Sequence, residues 1–225
     1  MTSTMTPVST AVLRAVPLFV SFSDEQLRTV VTMVTRKSAP RNTTIMAAGD
    51  PTDSLYIVLS GRLKVMMSDA DGREVILTIL GPGEYFGEMG LIDDSPRSAS
   101  VVTIEPCELL SIAKRDFKQS MEQNFELAVT VMIGLVKRLR EADRKIGSLA
   151  LLDVFGRVAH LLIDMSEDVD GQRIVTKRIA KQDIAKMIGA SREMVSRVMK
   201  DLLEGGFIEM RGAKIVIHNE VVLPE

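Results

Sequence analysis

The chain has 225 residues, 46% of them apolar and 26% charged, with a net charge of −2. This is a globular composition, long enough for one large or two modest cores, and its charge excludes a protein coated throughout with nucleic acid. Cys107 is the only cysteine, which excludes an internal disulfide and a cysteine-built zinc site or cluster; with His160 and His218 the only histidines, neither a haem site nor a His-based triad is expected. No metal is expected. No apolar run approaches a membrane span. The opening MTSTMTPVST has no basic stretch followed by an apolar one, so a cytoplasmic protein with no membrane partner is expected.

Residues 10–34 carry Leu13, Val16, Leu18, Leu27, Val30, Val31 and Val34 at helical or loop spacing. Ser23 followed by Gln26 predicts a capping box on the second helix there. Over residues 38–112 the period becomes two. SLYIVLSGRLKVMM, REVILTIL, SASVVTI and ELLSI read as short strands, separated by the turn compositions SGR, DADGRE, GPGE and DDSPR. A small barrel or sandwich follows. Gly61, Gly72, Gly81 and Gly83 fall where turns need positive φ. Cys107 is expected as buried strand packing.

Within this region GEYFGEMGLIDDSPRSAS sets Gly87 and Glu88 ten residues before Arg97 and Ser98. The pattern suits a ligand bearing both hydroxyls and a phosphate. Arginine gives phosphate charge-assisted bonds, and backbone N–H groups make an anion-binding concavity. The structural alternative is a Glu88–Arg97 pair in an empty pocket.

One long helix is expected over residues 116–152. Ala128, Met132, Leu135, Leu139, Ala142, Ile146 and Leu149 recur at spacings of 4, 3, 4, 3, 4 and 3. That is a coiled-coil seam flanked by charge, and it implies a parallel homodimer rather than a helix lying on its own core. A helical VFGRVAHLLIDM follows, then a polar loop SEDVDGQ, two helices and two strands.

Residues 171–200 hold eight Lys and Arg against Asp183 and Glu193, a net of +6 and a candidate polyanion-binding face. In RIAKQDIAKMIGASREMVSRVMKDLLEGG, Gly189 ends one helix and Ser191 caps the next. The short glycine-containing turn fits a helix-turn-helix. Ile184, Met187, Ile188, Val195, Val198 and Leu202 should pack the helices together, with the small Ala185 where they approach. Arg192, Glu193 and Arg197 stand where a recognition helix meets base edges, able to read guanine and cytosine. Ser191 and Ser196 share that end. Lys181, Lys200 and Arg211 suit phosphates. GGFIEMRGAKIVIH reads as two strands about Arg211, Gly212 and Ala213, a wing.

YFGEMGLIDDSPRSA, RLREADRKIGSLALLDVFGRVA and IGASREMVSRVMKDL resemble the CRP/FNR family of bacterial transcription regulators, and the resemblance runs over almost the whole chain. It implies an α+β fold: a cyclic-nucleotide-binding β-roll, jelly-roll-like, over residues 1–121, a dimerisation helix over 122–152, and a winged helix-turn-helix over 153–225. It also implies that Gly87, Glu88 and Met89 with Arg97, Ser98 and Ala99 form a phosphate-binding cassette. Glu88 would take the ribose 2′-hydroxyl, and Arg97 and Ser98 the phosphate. Cyclic-AMP-binding members place Thr and Ser on the long helix to hold adenine, but here those positions are Ala142 and Asp143. Alanine cannot hydrogen-bond a base, and an ionised Asp143 only accepts. Asp143 suits the N1–H and N2–H2 edge of guanine, with Arg140 and Arg144 beside it for a second phosphate or for stacking. Cyclic di-GMP is therefore favoured over cyclic AMP, against the alternative that Asp143 pairs along its own helix.

The expected partners are palindromic double-stranded DNA with TGTGA-like half-sites, a second copy of the chain, and RNA polymerase. The rivals are a ligand-independent DNA binder with a vestigial pocket and a cyclic-nucleotide effector of an enzyme or channel. An enzyme is not expected, because no nucleophile–base pair accompanies Glu88.

Overall fold

Short antiparallel strands and the helices that flank them build the first of two units, Met1–Lys137 and Arg138–Glu225. The structure is a computed structural model, and it describes residues 8–177, 179–212 and 214–218. Arg178 of the basic block and Ala213 of the wing lie outside the described residues.

The first unit opens with α1 (Thr10–Arg14), a 3-10 turn (Pro17–Phe19) and α2 (Asp24–Met33). The Ser23–Gln26 capping box is present, with the Gln26 N–H donating to Ser23 Oγ at 3.2 Å and the Ser23 N–H to Gln26 Oε1 at 2.7 Å. Strands β1 (Val34–Ala39), β2 (Thr44–Met46), β3 (Ser54–Ser60), β4 (Leu63–Ser68), β5 (Glu74–Leu80) and β6 (Tyr85–Phe86) follow. After them come α3 (Met89–Ile92), β7 (Ser100–Thr103), β8 (Cys107–Ala113), α4 (Lys114–Gln123) and α5 (Phe125–Leu151). The strands form two antiparallel sheets, β1-β8-β3-β6 and β2-β7-β4-β5.

The pleat decides where each side chain goes. Tyr56 and Val58 of β3, with Cys107 and Leu109 of β8, meet Met46, Leu63, Leu80 and Val101 of the second sheet. Leu55 and Ile57, with Leu110 and Ile112, point the other way, onto Leu13, Phe19, Leu27, Phe117, Leu127 and Val131 of the helices. β3 and β8 are thus buried on both faces, which is why they read as nearly unbroken apolar runs. Cys107 is a free, buried thiol 3% exposed, and burial raises its pKa.

Three expectations change. Gly61, Gly72 and Gly83 take positive φ, but Gly81 does not. The helix expected over residues 116–152 is two helices. Asn124 stands between them in extended conformation, φ −136° and ψ 98°, and its Oδ1 accepts from the Leu127 N–H at 3.2 Å, capping α5. SEDVDGQ is a hairpin rather than a loop. Its strands are β9 (Glu167–Val169) and β10 (Gln172–Val175), joined by Asp170 and Gly171 at φ 54° and 77°. Two successive left-handed residues suit a tight hairpin turn.

In the second unit α6 (Val154–Asp164) precedes that hairpin. Next come α7 (Lys181–Ile188), α8 (Arg192–Glu204), β11 (Ile208–Arg211) and β12 (Lys214–Ile217). The sheet order is β11-β12-β10-β9. Val158, Leu162, Ile184, Val195, Leu202, Ile208 and Ile217 are among the residues of its core.

Candidate functional site

The cassette is built by a turn and by the segment that leads into β7. Gly87 follows β6 at φ +84°, and a Cβ there would stand 2.5 Å from Arg97 Nη1 and 3.0 Å from Met46 Cε. Only glycine fits this backbone. Ten residues on, the chain re-enters as Arg97, whose N–H donates to Asp50 O at 2.9 Å and whose carbonyl accepts from the Gly49 N–H at 2.8 Å.

The Arg97 side chain is 3% exposed. Its Nη1 donates to Gly87 O at 2.9 Å, and its Nη2 to Ser54 O at 2.7 Å and Asp53 Oδ1 at 3.1 Å. The guanidinium also lies 6.0 Å from the Tyr56 ring centroid. These bonds leave part of its five-donor fork for another acceptor. Glu88 is 1% exposed and stands at the N-cap position just before α3, while Met89 is 51% exposed. Ser98 is exposed, with its Oγ 3.9 Å from Met89 Sδ, and Ala99 is buried. The fold therefore brings residues 87–89 and 97–99 together. Between them, Asp94 Oδ1 holds Lys114 Nζ at 2.6 Å and Lys118 Nζ at 2.9 Å. Hydrogen bonds from those two lysines pull its carboxyl down to about 2, so this anchor of the loop on α4 persists across the physiological range.

Asp53, Ser54 and Tyr56 were missed as members of this site because they lie over 40 residues from Arg97 in sequence. A second omission is Tyr85, the neighbour of the cassette on β6. Its hydroxyl reaches Val131 O of α5 at 3.5 Å, and Gly134 supplies the space it occupies. A cleft of about 510 Å³ lined by Val16, Pro17, Arg36, Leu59, Pro82 and Glu108, among others, shares no residue with the cassette.

Arg140, Asp143 and Arg144 are exposed on the part of α5 assigned to the second unit. Along α5, Met132, Leu139, Ile146 and Leu149 of the seam are 51–64% exposed, whereas Leu135 packs on the unit's own core. Ile133 and Val136 are exposed as well, so the apolar stripe is wider than an a/d seam over its first half.

The helix-turn-helix forms as its caps require. Gly189 ends α7 at φ 63°, and Ser191 Oγ accepts from the Met194 N–H at 3.1 Å. Ile184, Ile188, Val195, Val198 and Leu202 are buried together, and Ala185 is 2% exposed between them. Arg192, Glu193, Arg197 and Lys200 are exposed on α8, Ser196 is half-buried, and Lys181 opens α7 exposed. Arg211, at the end of β11, is already held. Its Nε and Nη2 each donate to a Glu209 oxygen at 2.9 Å, and its Nη1 to Gln172 Oε1 at 3.3 Å.

Arg157 of α6 is a further residue missed from sequence. Its Nη1 donates to Ile188 O at 2.9 Å, closing the last turn of α7 next to the Gly189 bend. A cation at a helix C-terminus is favoured by the dipole. Arg157→Ala should cost about 1–3 kcal/mol by leaving that carbonyl unmet. Urea denaturation would read the loss, and an unchanged midpoint would show that the bond contributes nothing.

Among the described residues no group of three or more His, Cys, Asp or Glu could hold a metal, and no helix is long and apolar enough to cross a membrane.

The cassette and the capped helix pair define a chain that joins a ligand-binding unit to a DNA reader. Residues 36–124 match the cyclic nucleotide-binding domain, and residues 156–224 match the Crp-like helix-turn-helix domain. The cAMP-activated global transcriptional regulator Vfr of Pseudomonas aeruginosa is 36% identical over 192 residues, covering 81% of this chain and 88% of its own. A CRP-like cAMP-activated global transcriptional regulator of Mycobacterium tuberculosis is 34% identical over 182 residues, covering 79% and 81%. Among solved structures, the c-di-GMP responsive global regulator CLP of Xanthomonas campestris superposes with a TM-score of 0.74 at 30% identity, covering 88% of this chain and all of that one. The chain belongs to the CRP/FNR family of transcription regulators. It is a DNA-binding regulator with a cyclic nucleotide-binding domain, and the family's members are regulators rather than enzymes.

Proposed function

We propose that the protein is a homodimer whose affinity for palindromic DNA is set by a cyclic nucleotide held on the Arg97 cassette. Residues 1–121 act as the sensor, 122–152 as the dimer helix and 153–225 as the DNA reader. The observation that carries this reading is the buried Arg97 fork beside the Gly87 turn, an arrangement suited to a phosphodiester. The exposed row of Met132, Leu139, Ile146 and Leu149 supports a second copy as the cover of α5. Two readers on one dimer would meet successive major grooves about 34 Å apart, at TGTGA-like half-sites. RNA polymerase is the third proposed partner, through the exposed hairpin of β9 and β10.

Relatives named for both nucleotides leave the choice to the side chains that differ. Ala142 offers adenine no hydrogen bond, while exposed Asp143 is an acceptor flanked by Arg140 and Arg144. That chemistry favours cyclic di-GMP over cyclic AMP. Side-by-side calorimetric titration of the full-length protein should show tight binding of cyclic di-GMP and weaker binding of cyclic AMP. Tight binding of cyclic AMP alone would make the Asp143 assignment wrong.

A second reading rests on Arg97 itself, which finds partners in Gly87 O, Ser54 O and Asp53 without any phosphate. A regulator with a purely structural cassette would bind neither nucleotide and would still bind DNA.

A further inference from the structure

The first turn of α8 exposes a side chain with no polar work to do. Met194 is 44% exposed, and its backbone is fixed by the Ser191 cap. The buried face of the helix is Val195, Val198, Met199 and Leu202. Met194 stands outside it, three residues from Arg197 and next to Glu193. Residues three and four apart share a helix face. Arg192 with Ser196, Glu193 with Arg197, and then Met194 therefore fan across the exposed side of the first two turns. Leu203, also exposed, sits at the other end of the helix, 40% exposed.

We propose that Met194 is a specificity-determining residue that reads a thymine through its C5-methyl group in the major groove. The proposal rests on α8 being the recognition helix. Its surroundings fit DNA, since Lys181, Arg192, Arg197 and Lys200 are exposed cations on α7 and α8. Of the base edges in the major groove, thymine alone presents a methyl group, and the others present donors and acceptors that a thioether, a weak acceptor and no donor, meets poorly. Methionine is unbranched and adapts its shape to a small apolar partner. The arginines and Glu193 supply the polar readout, and Met194 adds a preference that they cannot express.

The test uses the full-length protein and duplex DNA recovered by its own selection from a random library. Each thymine is replaced in turn by deoxyuridine, which removes only the methyl. At one symmetric pair of positions the wild-type protein should lose about fourfold in affinity per half-site, the effect of one buried methyl. Met194→Ala should show no loss at that pair, and Met194→Leu should restore it. Identical deoxyuridine profiles for the wild-type protein and Met194→Ala would overturn the proposal. Arg192→Ala serves as the control on the underlying reading. If it too leaves the ranking of sequences unchanged, α8 is not the base reader, and the role of Met194 falls with it. If Arg192→Ala alters the ranking and Met194→Ala does not, only the thymine contact is wrong.

Discussion

Arg97→Ala should lower cyclic-nucleotide affinity by more than about 100-fold, since each charge-assisted bond to a phosphate contributes about 1.5–3 kcal/mol and a fork makes two. The same change should destabilise the ligand-free sensor, because it leaves the Gly87 and Ser54 carbonyls without their donor. Each such loss costs about 1–3 kcal/mol. Arg97→Lys should recover little of either effect, because an ammonium cannot span two carbonyls and a carboxylate as a planar fork does. Calorimetry and thermal unfolding on one preparation separate the two consequences. A variant that unfolds earlier but binds nucleotide normally would reduce Arg97 to a scaffold residue. Asp53→Asn should matter less, since that carboxylate is 77% exposed and its share of the pair is weakened by water.

The second large effect is expected at a glycine. Gly134→Ala should destabilise the first unit, Met1–Lys137, by about 1–3 kcal/mol, the usual range for overpacking. On an open helix surface the same substitution stabilises, by about 0.5–1 kcal/mol. Its sign here is set by Tyr85, whose hydroxyl occupies the place where the new methyl would go, with Cζ 3.1 Å away. Gly147, on the same helix, has nothing within 4 Å of its Cβ position. Gly147→Ala should therefore raise the melting temperature while Gly134→Ala lowers it. Tyr85→Phe removes the overlapping atom and should return much of the loss in the double variant. A Gly134→Ala variant that raises stability as Gly147→Ala does would show that the tyrosine contact yields freely. Because Tyr85 adjoins the cassette on β6, the double variant also tests whether this contact ties nucleotide occupancy to α5.

What could be read ahead of the structure was whatever is written locally. Ser23 with Gln26, Gly189 and Ser191 each declare a helix end within four residues, and each cap formed. The two halves of the cassette were visible because glycine, glutamate, arginine and serine are unusual company in a strand-and-turn region. Their supports were not visible. Ser54 and Asp53 reach Arg97 only after β3 and the cassette have been brought together, and no local pattern announces a backbone carbonyl as a partner. Asn124 gave no warning of a helix break, since asparagine is tolerated in helices and caps this one through its own side chain. The hairpin of β9 and β10 was hidden by composition. Glu167, Asp168 and Asp170 read as loop, and Asp170 with Gly171 was the one turn signal in the stretch. The Arg157–Ile188 bond joins α6 to the end of α7 across a hairpin, again a contact made by the fold rather than by spacing.

The place of β12 in its sheet bears on the genetics of the protein. The strand pairs with β11 on one side and β10 on the other, so the last described strand in sequence is central in space. A stop codon just after Arg211 would spare every residue of both reader helices. It would also strip β10 and β11 of the strand that joins them and open the core at Ile215 and Ile217. Late nonsense alleles should therefore behave as complete losses of DNA binding rather than as mild trims, and a reporter or affinity tag belongs beyond this strand, never in place of it.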